Sequence, residues 1–401
     1  MVKIHSTVLN QTLEIKRIIK HLKGSQSGPT LIFIGGIHGN EPSGVFALQQ
    51  VLDELQKKKI SITGNVYALS GNLWALERNK RYDKQDLNRL WTSENMQKVL
   101  NNHLEIRNED ISQQIDLYRT IRDIVQKESG PFYFMDLHTT SSETVPFLTV
   151  NDSLLNRKFT NQYPVPIILG IEEYLEGPLL SYINELGYVA FGFEAGQHDD
   201  PASVQNHVAF IYLTLVFTGS ISKTSINYPH YYSILFDNSM EFKHIYEIYY
   251  RHEIINGDTF KMEPGFINFQ EIRKGQELAK SNGKLITAQR DGRIFMPLYQ
   301  NLGDDGFFTI KRTPKLFLNL SAALRKIRFD HILTLLPGVQ WGSDKKDVLT
   351  VDLKIARFFT KQFFHLLGYR NKKVDETRLR VRNRETASKT KEYKNTSWIN
   401  K

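Results

Sequence analysis

Residues 30–55 read TLIFIGGIHGNEPSGVFALQQVLDEL. The run 30–35 is apolar and stops at a glycine pair, and a helical apolar pattern follows over 42–55, which reads as strand, loop, helix. Outward from this unit the chain supplies strand-length apolar runs at 65–69, 132–137, 147–150, 165–169 and 188–194. Helical stretches at 111–127, 179–186 and 202–216 lie between several of them. Strands alternating with helices predict an α/β fold with a doubly wound, mainly parallel or mixed sheet covered on both faces. Ligands of such sheets bind beyond the carboxyl ends of the strands, so the loops after Ile34, Leu137 and Phe193 are where a site is expected.

At 401 residues the chain exceeds one comfortable core. The α/β unit is expected over 1–222. From about Lys243 the text changes: HIYEIYYRHEI (244–254) alternates, and Asn256-Gly257-Asp258, Pro264-Gly265, Asn282-Gly283 and Asp291-Gly292 punctuate short runs at hairpin spacing. This predicts a small all-β domain within 223–315. Helical periodicity returns in LFLNLSAALRKIRF (316–329) and VDLKIARFFTKQFFHLL (351–367), predicting a helical extension over 316–369.

The formal charge is +9, but residues 370–401 hold 11 Lys/Arg against 4 Asp/Glu, so most of the surplus sits in a terminal tail and the remainder is near neutral. The tail reads as solvated and poorly ordered, with electrostatic docking to RNA, a membrane or a protein as the alternative. Nucleic acid is not the expected partner. No stretch has the apolar length of a membrane span, and the first residues lack the layout of a signal peptide, so the expected compartment is the cytoplasm. Homo-oligomer formation is neither specified nor excluded. The absence of cysteine rules out disulfides, thiolate metal sites and cysteine nucleophiles, so any metal must be held by His, Asp and Glu.

One such group is visible. His38-Gly39-Asn40-Glu41-Pro42 places an imidazole and a carboxylate in a loop that Gly39 lets curl and Pro42 ends by starting a helix. A catalytic zinc takes three protein ligands and keeps one open position, and His138, at the end of the apolar run 132–137, is the candidate third ligand. Asp136 could orient that site from behind.

GGIHGNEPSG (35–44), RYDKQDLNRLW (81–91), MDLHTT (135–140) and FGFEAGQ (191–197) together resemble the succinylglutamate desuccinylase/aspartoacylase family, within the wider zinc carboxypeptidase-like group. The resemblance extends to 263–300, similar to that family's C-terminal β domain of barrel-sandwich, lipoyl-like type, and stops before Leu316. It implies one Zn2+ per chain held by His38, Glu41 and His138, with Glu194 as the catalytic glutamate. It implies further that Arg81 polarises the scissile carbonyl. Arg89 with Asn88 reads as a clamp for a free carboxylate, since a guanidinium meets a carboxylate through two parallel hydrogen bonds. The expected activity is hydrolysis of the amide of a small-molecule N-acyl amino acid, Glu194 serving as general acid and base. A carboxypeptidase acting on peptides and a non-catalytic binding protein are the rival readings. Residues 179–196 hold no arginine, although dicarboxylate-specific members carry one there, which argues against acetylaspartate. The β domain is expected to wall the active site; Lys284 follows Asn282-Gly283 but has no carrier-lysine motif around it. His198 and Asp199, just past Glu194, read as a solvated turn, with a place lining the entrance as the alternative.

Overall fold

The alternation of strand-length and helical runs folds into an 11-stranded mixed sheet with helices on both faces. The computed structural model describes residues 1–399 apart from 102, 256, 301, 336, 345, 353, 356–366 and 374–377. A hairpin of β1 (Val2–Ser6) and β2 (Gln11–Ile15) forms its own two-stranded sheet. The chain then builds β3 (Ile18–Lys23), β4 (Gln26–Gly35), β5 (Thr63–Ser70), β6 (Phe132–Thr140), β7 (Phe147–Val150), β8 (Ile167–Leu169) and β9 (Val189–Gln197). Strands β5, β4, β6 and β9 are adjacent and parallel, so their carboxyl ends share one rim.

The helices are α1 (Ser43–Lys57), α2 (Leu73–Glu77), α3 (Ser93–Leu100), α4 (Glu109–Lys127), α5 (Leu154–Thr160), α6 (Leu179–Glu185), α7 (Pro201–Phe217) and α8 (Tyr228–Asp237). Because side chains alternate along a strand, Leu31 and Phe33 of β4 join one core with α1, α5 and α7, while Ile32 and Ile34 join the other with α3, α4 and α6. Helix α7 is buried nearly all round, as its unbroken apolar run requires. Among the described residues no helix is long and apolar enough to cross a membrane.

The segment expected to form a separate β domain is divided. It contains β10 (Ile245–Glu253), β11 (Phe260–Met262), β12 (Glu271–Ile272), β13 (Glu277–Ser281), β14 (Lys284–Thr287), β15 (Gly292–Phe295) and β16 (Asp305–Arg312). Strand β10 pairs in parallel with β8, and β16, β15 and β12 follow it outward, so the central sheet runs straight into this segment. Only β11, β13 and β14 form a sheet of their own. The physical cause is the open edge of β8, whose unpaired backbone groups need a partner strand.

The C-terminal region departs further from expectation. Helix α9 (Lys315–Lys326) is present, but β17 (Val339–Trp341), β18 (Val348–Asp352), β19 (Tyr369–Lys373) and β20 (Arg378–Asn383) then form a four-stranded antiparallel sheet. The helix expected over 351–367 is replaced by strand at its first two residues, and most of the rest lies outside the described residues. The described residues of the expected solvated tail are folded. In RLRVRN (378–383) arginine recurs at every second position, so Arg378, Arg380 and Arg382 share one exposed face while Val381 is buried with Leu349, Val351 and Tyr369. A charge count saw only the arginines; the period of two makes them the wet face of a strand.

Past β20 the chain docks under the central sheet. Tyr393 Oη donates to the Phe132 carbonyl at the start of β6 and accepts from Val189 N at the start of β9, at 2.9 Å. Trp398 Nε1 donates to Tyr133 Oη at 2.9 Å, and its ring packs on Phe159 with centroids 5.1 Å apart. Trp398 is only 2% exposed. Trp398→Ala is therefore expected to lower the unfolding free energy by about 3–5 kcal/mol, the usual cost of truncating a buried tryptophan, as read from urea denaturation. A solvated tail would show no change.

Candidate metal centre and active site

The loop between β4 and α1 is shaped by what presses on it. Gly36 has φ +72°, and Gly39 has no room for a side chain: a Cβ there would lie 2.1 Å from the Ala75 carbonyl carbon and 2.4 Å from the Lys80 oxygen. Gly39 is needed for this close approach rather than for a left-handed turn. Pro42 then caps α1, its carbonyl accepting from Val45 N at 2.9 Å. His38 and Glu41 are thus fixed at the end of β4, beside the end of β6, where His138 stands in register with Glu194 on β9.

The three predicted ligands converge. His38 Nδ1 is 2.9 Å from Glu41 Oε1 and His138 Nδ1 is 3.0 Å from Glu41 Oε2. One ligand atom from each residue lies within 4.8 Å of the others, and all three residues are buried. Both imidazoles therefore present Nδ1 to the shared point, and each Nε2 meets a carboxylate behind it. His38 Nε2 is 3.0 Å from Asp86 Oδ1, and His138 Nε2 is 2.8 Å from Asp136 Oδ2. Carboxylates in this position set the tautomer and orientation of a metal-binding histidine.

The electrostatics favours positive charge at that point. Burial alone would raise Glu41, but His38 and His138 outweigh it and hold the carboxyl well below the usual range. Burial alone would discharge His138, but Asp136 first and Glu41 next hold it well above the usual histidine range. A pair of imidazoles and a carboxylate so arranged is the donor set a divalent cation such as zinc accepts. Glu194 responds oppositely: burial pushes its carboxyl up to about 8, the Glu41 and Asp136 charges adding to the shift while His138 and Arg81 oppose it. Its Oε2 is buried without a protein partner.

The loop after α2 brings in the guanidinium groups. Asp110, fully buried, accepts from the backbone N–H groups of Asp83, Lys84 and Gln85 at 2.8–3.1 Å, which holds the loop rigid. Arg81 donates through Nη1 to Glu41 at 3.2 Å and through Nη2 to Asp86 at 3.1 Å, leaving Nε buried without a partner. Asn88 Oδ1 accepts from Leu179 N at 2.9 Å, and Arg89 Nη2 donates to Asp305 at 2.9 Å. All seven predicted site residues line one cleft. The sequence carries one sign of Asp86's place here, its position in the same short run as Asn88 and Arg89.

The opposite wall comes from residues 296–308, including Met296, Leu298, Gln300, Asp305 and Phe308. Gln300 Oε1 accepts from Asn40 Nδ2 at 3.1 Å and lies 3.3 Å from His198 Nε2, tying the wall to the loop that carries His38 and Glu41. Of the two readings, His198 takes the alternative and lines the cleft, with Nδ1 2.8 Å from Thr139 Oγ1, while Asp199 is exposed as a solvated turn requires. The backbone bends back over the rim here, His198 N donating to the Thr140 carbonyl at 3.0 Å.

The model of the succinylglutamate desuccinylase/aspartoacylase catalytic domain matches residues 27–208, which contain all of the convergent side chains above. Over that stretch, just under half of its length, the chain is similar to the catalytic domain of that family. A succinylglutamate desuccinylase from Photorhabdus laumondii is 36% identical over 77 residues, 19% of this chain and 23% of that protein. A protein named probable aspartoacylase from Acaryochloris marina is 27% identical over 165 residues, 39% of this chain and 52% of that protein. Each match spans less than two thirds of the relative's own length. The crystal structure of a succinylglutamate desuccinylase/aspartoacylase from Rhodobacter sphaeroides shares the fold, with a TM-score of 0.55 at 17% identity over 78% of this chain and 94% of that one. The cleft wall at 296–308 and the C-terminal sheet lie beyond the matched stretch.

If Asp86 orients His38 as a ligand, Asp86→Asn will weaken zinc binding by about 10- to 100-fold in a competitive chelator titration. An unchanged affinity would remove Asp86 from the site.

Proposed function

We propose that this chain is a zinc-dependent amidohydrolase that cleaves the amide bond of an N-acyl amino acid. The observation that carries the reading is the convergence of His38, Glu41 and His138 at a buried point beside Glu194. These three side chains would hold one zinc ion, which when bound supplies a Lewis acid that acidifies water and polarises a carbonyl oxygen.

The remaining work falls to the chain's own groups. Glu194, desolvated and without a partner on Oε2, takes the proton of the attacking water and delivers it to the departing nitrogen. Arg81 is braced by Glu41 and Asp86 through its two terminal nitrogens, and its Nε–H is the donor assigned to the carbonyl oxygen as charge develops there. Arg89 and Asn88 bind the carboxylate of the amino acid. Asn88 spends its oxygen on Leu179 N, which turns its amide nitrogen into the available donor. The wall at 296–308 excludes water and narrows the cleft, which favours a small acyl amino acid over a peptide passing through.

Two variants test these roles. Glu194→Gln should keep stoichiometric zinc yet lose about 100-fold or more in turnover of acyl amino acids; near-normal rates would remove Glu194 from the mechanism. Arg89→Ala should raise KM by about 10- to 100-fold, the worth of charge-assisted hydrogen bonds, with a smaller change in kcat. Faster release of C-terminal residues from a peptide panel than of amines from acyl amino acids would favour a carboxypeptidase instead.

A further inference from the structure

The cleft continues well past the metal centre. On β7, Phe147 is level with Glu194, and Thr149 and Asn151 further along the same chain direction line the same cleft. At roughly 3.3 Å per residue, Asn151 lies about 13 Å along the sheet from the level of Glu194. The walls over this distance include Leu175, Pro178, Leu180 and Phe308, which present apolar surface. An extended substrate arm fits such a passage better than an acetyl group.

The far end is different in character. Glu172, on the turn after β8, is 2% exposed and lines the cleft. Its Oε1 accepts from Asp152 N at 3.0 Å and lies 3.2 Å from Arg384 Nη2 of the C-terminal segment, whereas Oε2 is buried with no partner. Burial pushes this carboxyl above its ordinary range, the Glu173 and Asp152 charges add to the shift, and Arg384 offsets it only in part. Asn151 spends its amide nitrogen on Ser181 Oγ at 3.1 Å, so what it can offer is an acceptor oxygen. The described lining residues include only two guanidinium groups and no lysine, and both are assigned elsewhere, Arg81, braced by Glu41 and Asp86, to the carbonyl oxygen and Arg89, held by Asp305, to the carboxylate of the amino acid. A carboxylate at the end of an arm would face Glu172, whose neighbouring cation, Arg384, is already divided among Asp152, Glu172 and Glu173. An ammonium would find two acceptors.

We propose that Glu172 and Asn151 form a terminal subsite for an ammonium-bearing arm of the substrate, and that Glu172 sets the cleft against dicarboxylates. The ammonium can end either the acyl group or the side chain of the amino acid. This inference rests on the acyl amino acid reading above. Arg384 is a positioning residue in it: bridging Glu172 and Glu173, it fixes the turn that carries the carboxyl and makes the C-terminal segment part of the specificity apparatus.

The experiment uses the zinc-loaded full chain and two series of substrates. One compares 6-aminohexanoyl-, hexanoyl- and adipoyl-alanine; the other compares the Nα-acetyl derivatives of lysine, norleucine and 2-aminoadipate. In one series the ammonium member is expected to exceed both companions in kcat/KM by about tenfold or more, and that series identifies the arm. Glu172→Gln should shrink the ratio to about threefold or less. Parity or reversal in both series of the wild-type protein overturns the proposal, and so does a ratio that survives in Glu172→Gln. Should no acyl amino acid be hydrolysed, the function proposed above fails, and the subsite is then decided by calorimetry with 6-aminohexanoate against hexanoate and lysine against norleucine. Tighter binding of a cationic member that weakens in Glu172→Gln sustains the subsite; equal binding overturns it.

Discussion

The site depends on one arrangement: a buried carboxylate, Glu41, reaching two imidazoles at once, His38 through one oxygen and His138 through the other. Charged groups removed from water are costly unless each finds a partner. The structure answers that demand on every side. Asp86 and Asp136 stand behind the two imidazoles, and Arg81 spans Glu41 and Asp86. None of these groups could be placed without the others, so the loop after β4, the loop after α2 and the end of β6 are coupled through charge as well as through packing.

The parallel order of β4, β6 and β9 is what makes the convergence possible. Three strand ends abreast, each spaced by one ladder of hydrogen bonds, bring His38, His138 and Glu194 to one rim of the sheet, where all three line the cleft. The surrounding layers then divide the work. Asp110 stiffens the loop that carries Arg81 and Arg89, and the segment after β15 closes the cleft from the other side through Gln300 and Asp305.

The C-terminal region binds the opposite end of the same strands and also reaches the inner end of the cleft. Tyr393 joins the first residues of β6 and β9, while Arg325 and Arg384 meet Asp152, Glu172 and Glu173 on the turns after β7 and β8. Burial alone would raise Asp152, yet Arg157, Arg325 and Arg384 hold it well below the ordinary aspartate range. A buried carboxylate so strongly held keeps its charge through mild acid, and the attachment of the extension with it. The extension is thus wired into the turns that shape the cleft rather than appended to the enzyme-like core.

The α/β alternation, the strand ends and the trio of His38, Glu41 and His138 were legible in the sequence, because apolar periodicity marks where strands stop and the chemistry sits in the residues that follow. Even Asp136 was legible as a support, being two residues from His138 on the same face of a strand. The partner of His38 Nε2 was not: Asp86 lies 48 residues away and only the folded loop brings it in. Nor was the fate of the basic end. Its arginine alternation is a strand only once β18 offers a ladder, and its aromatic residues are buried only because Phe132 and Tyr133, some 260 residues earlier, expose a carbonyl and a ring for them. Local pattern determines which residues can turn inward, whereas contacts between distant parts of the chain decide what they meet there.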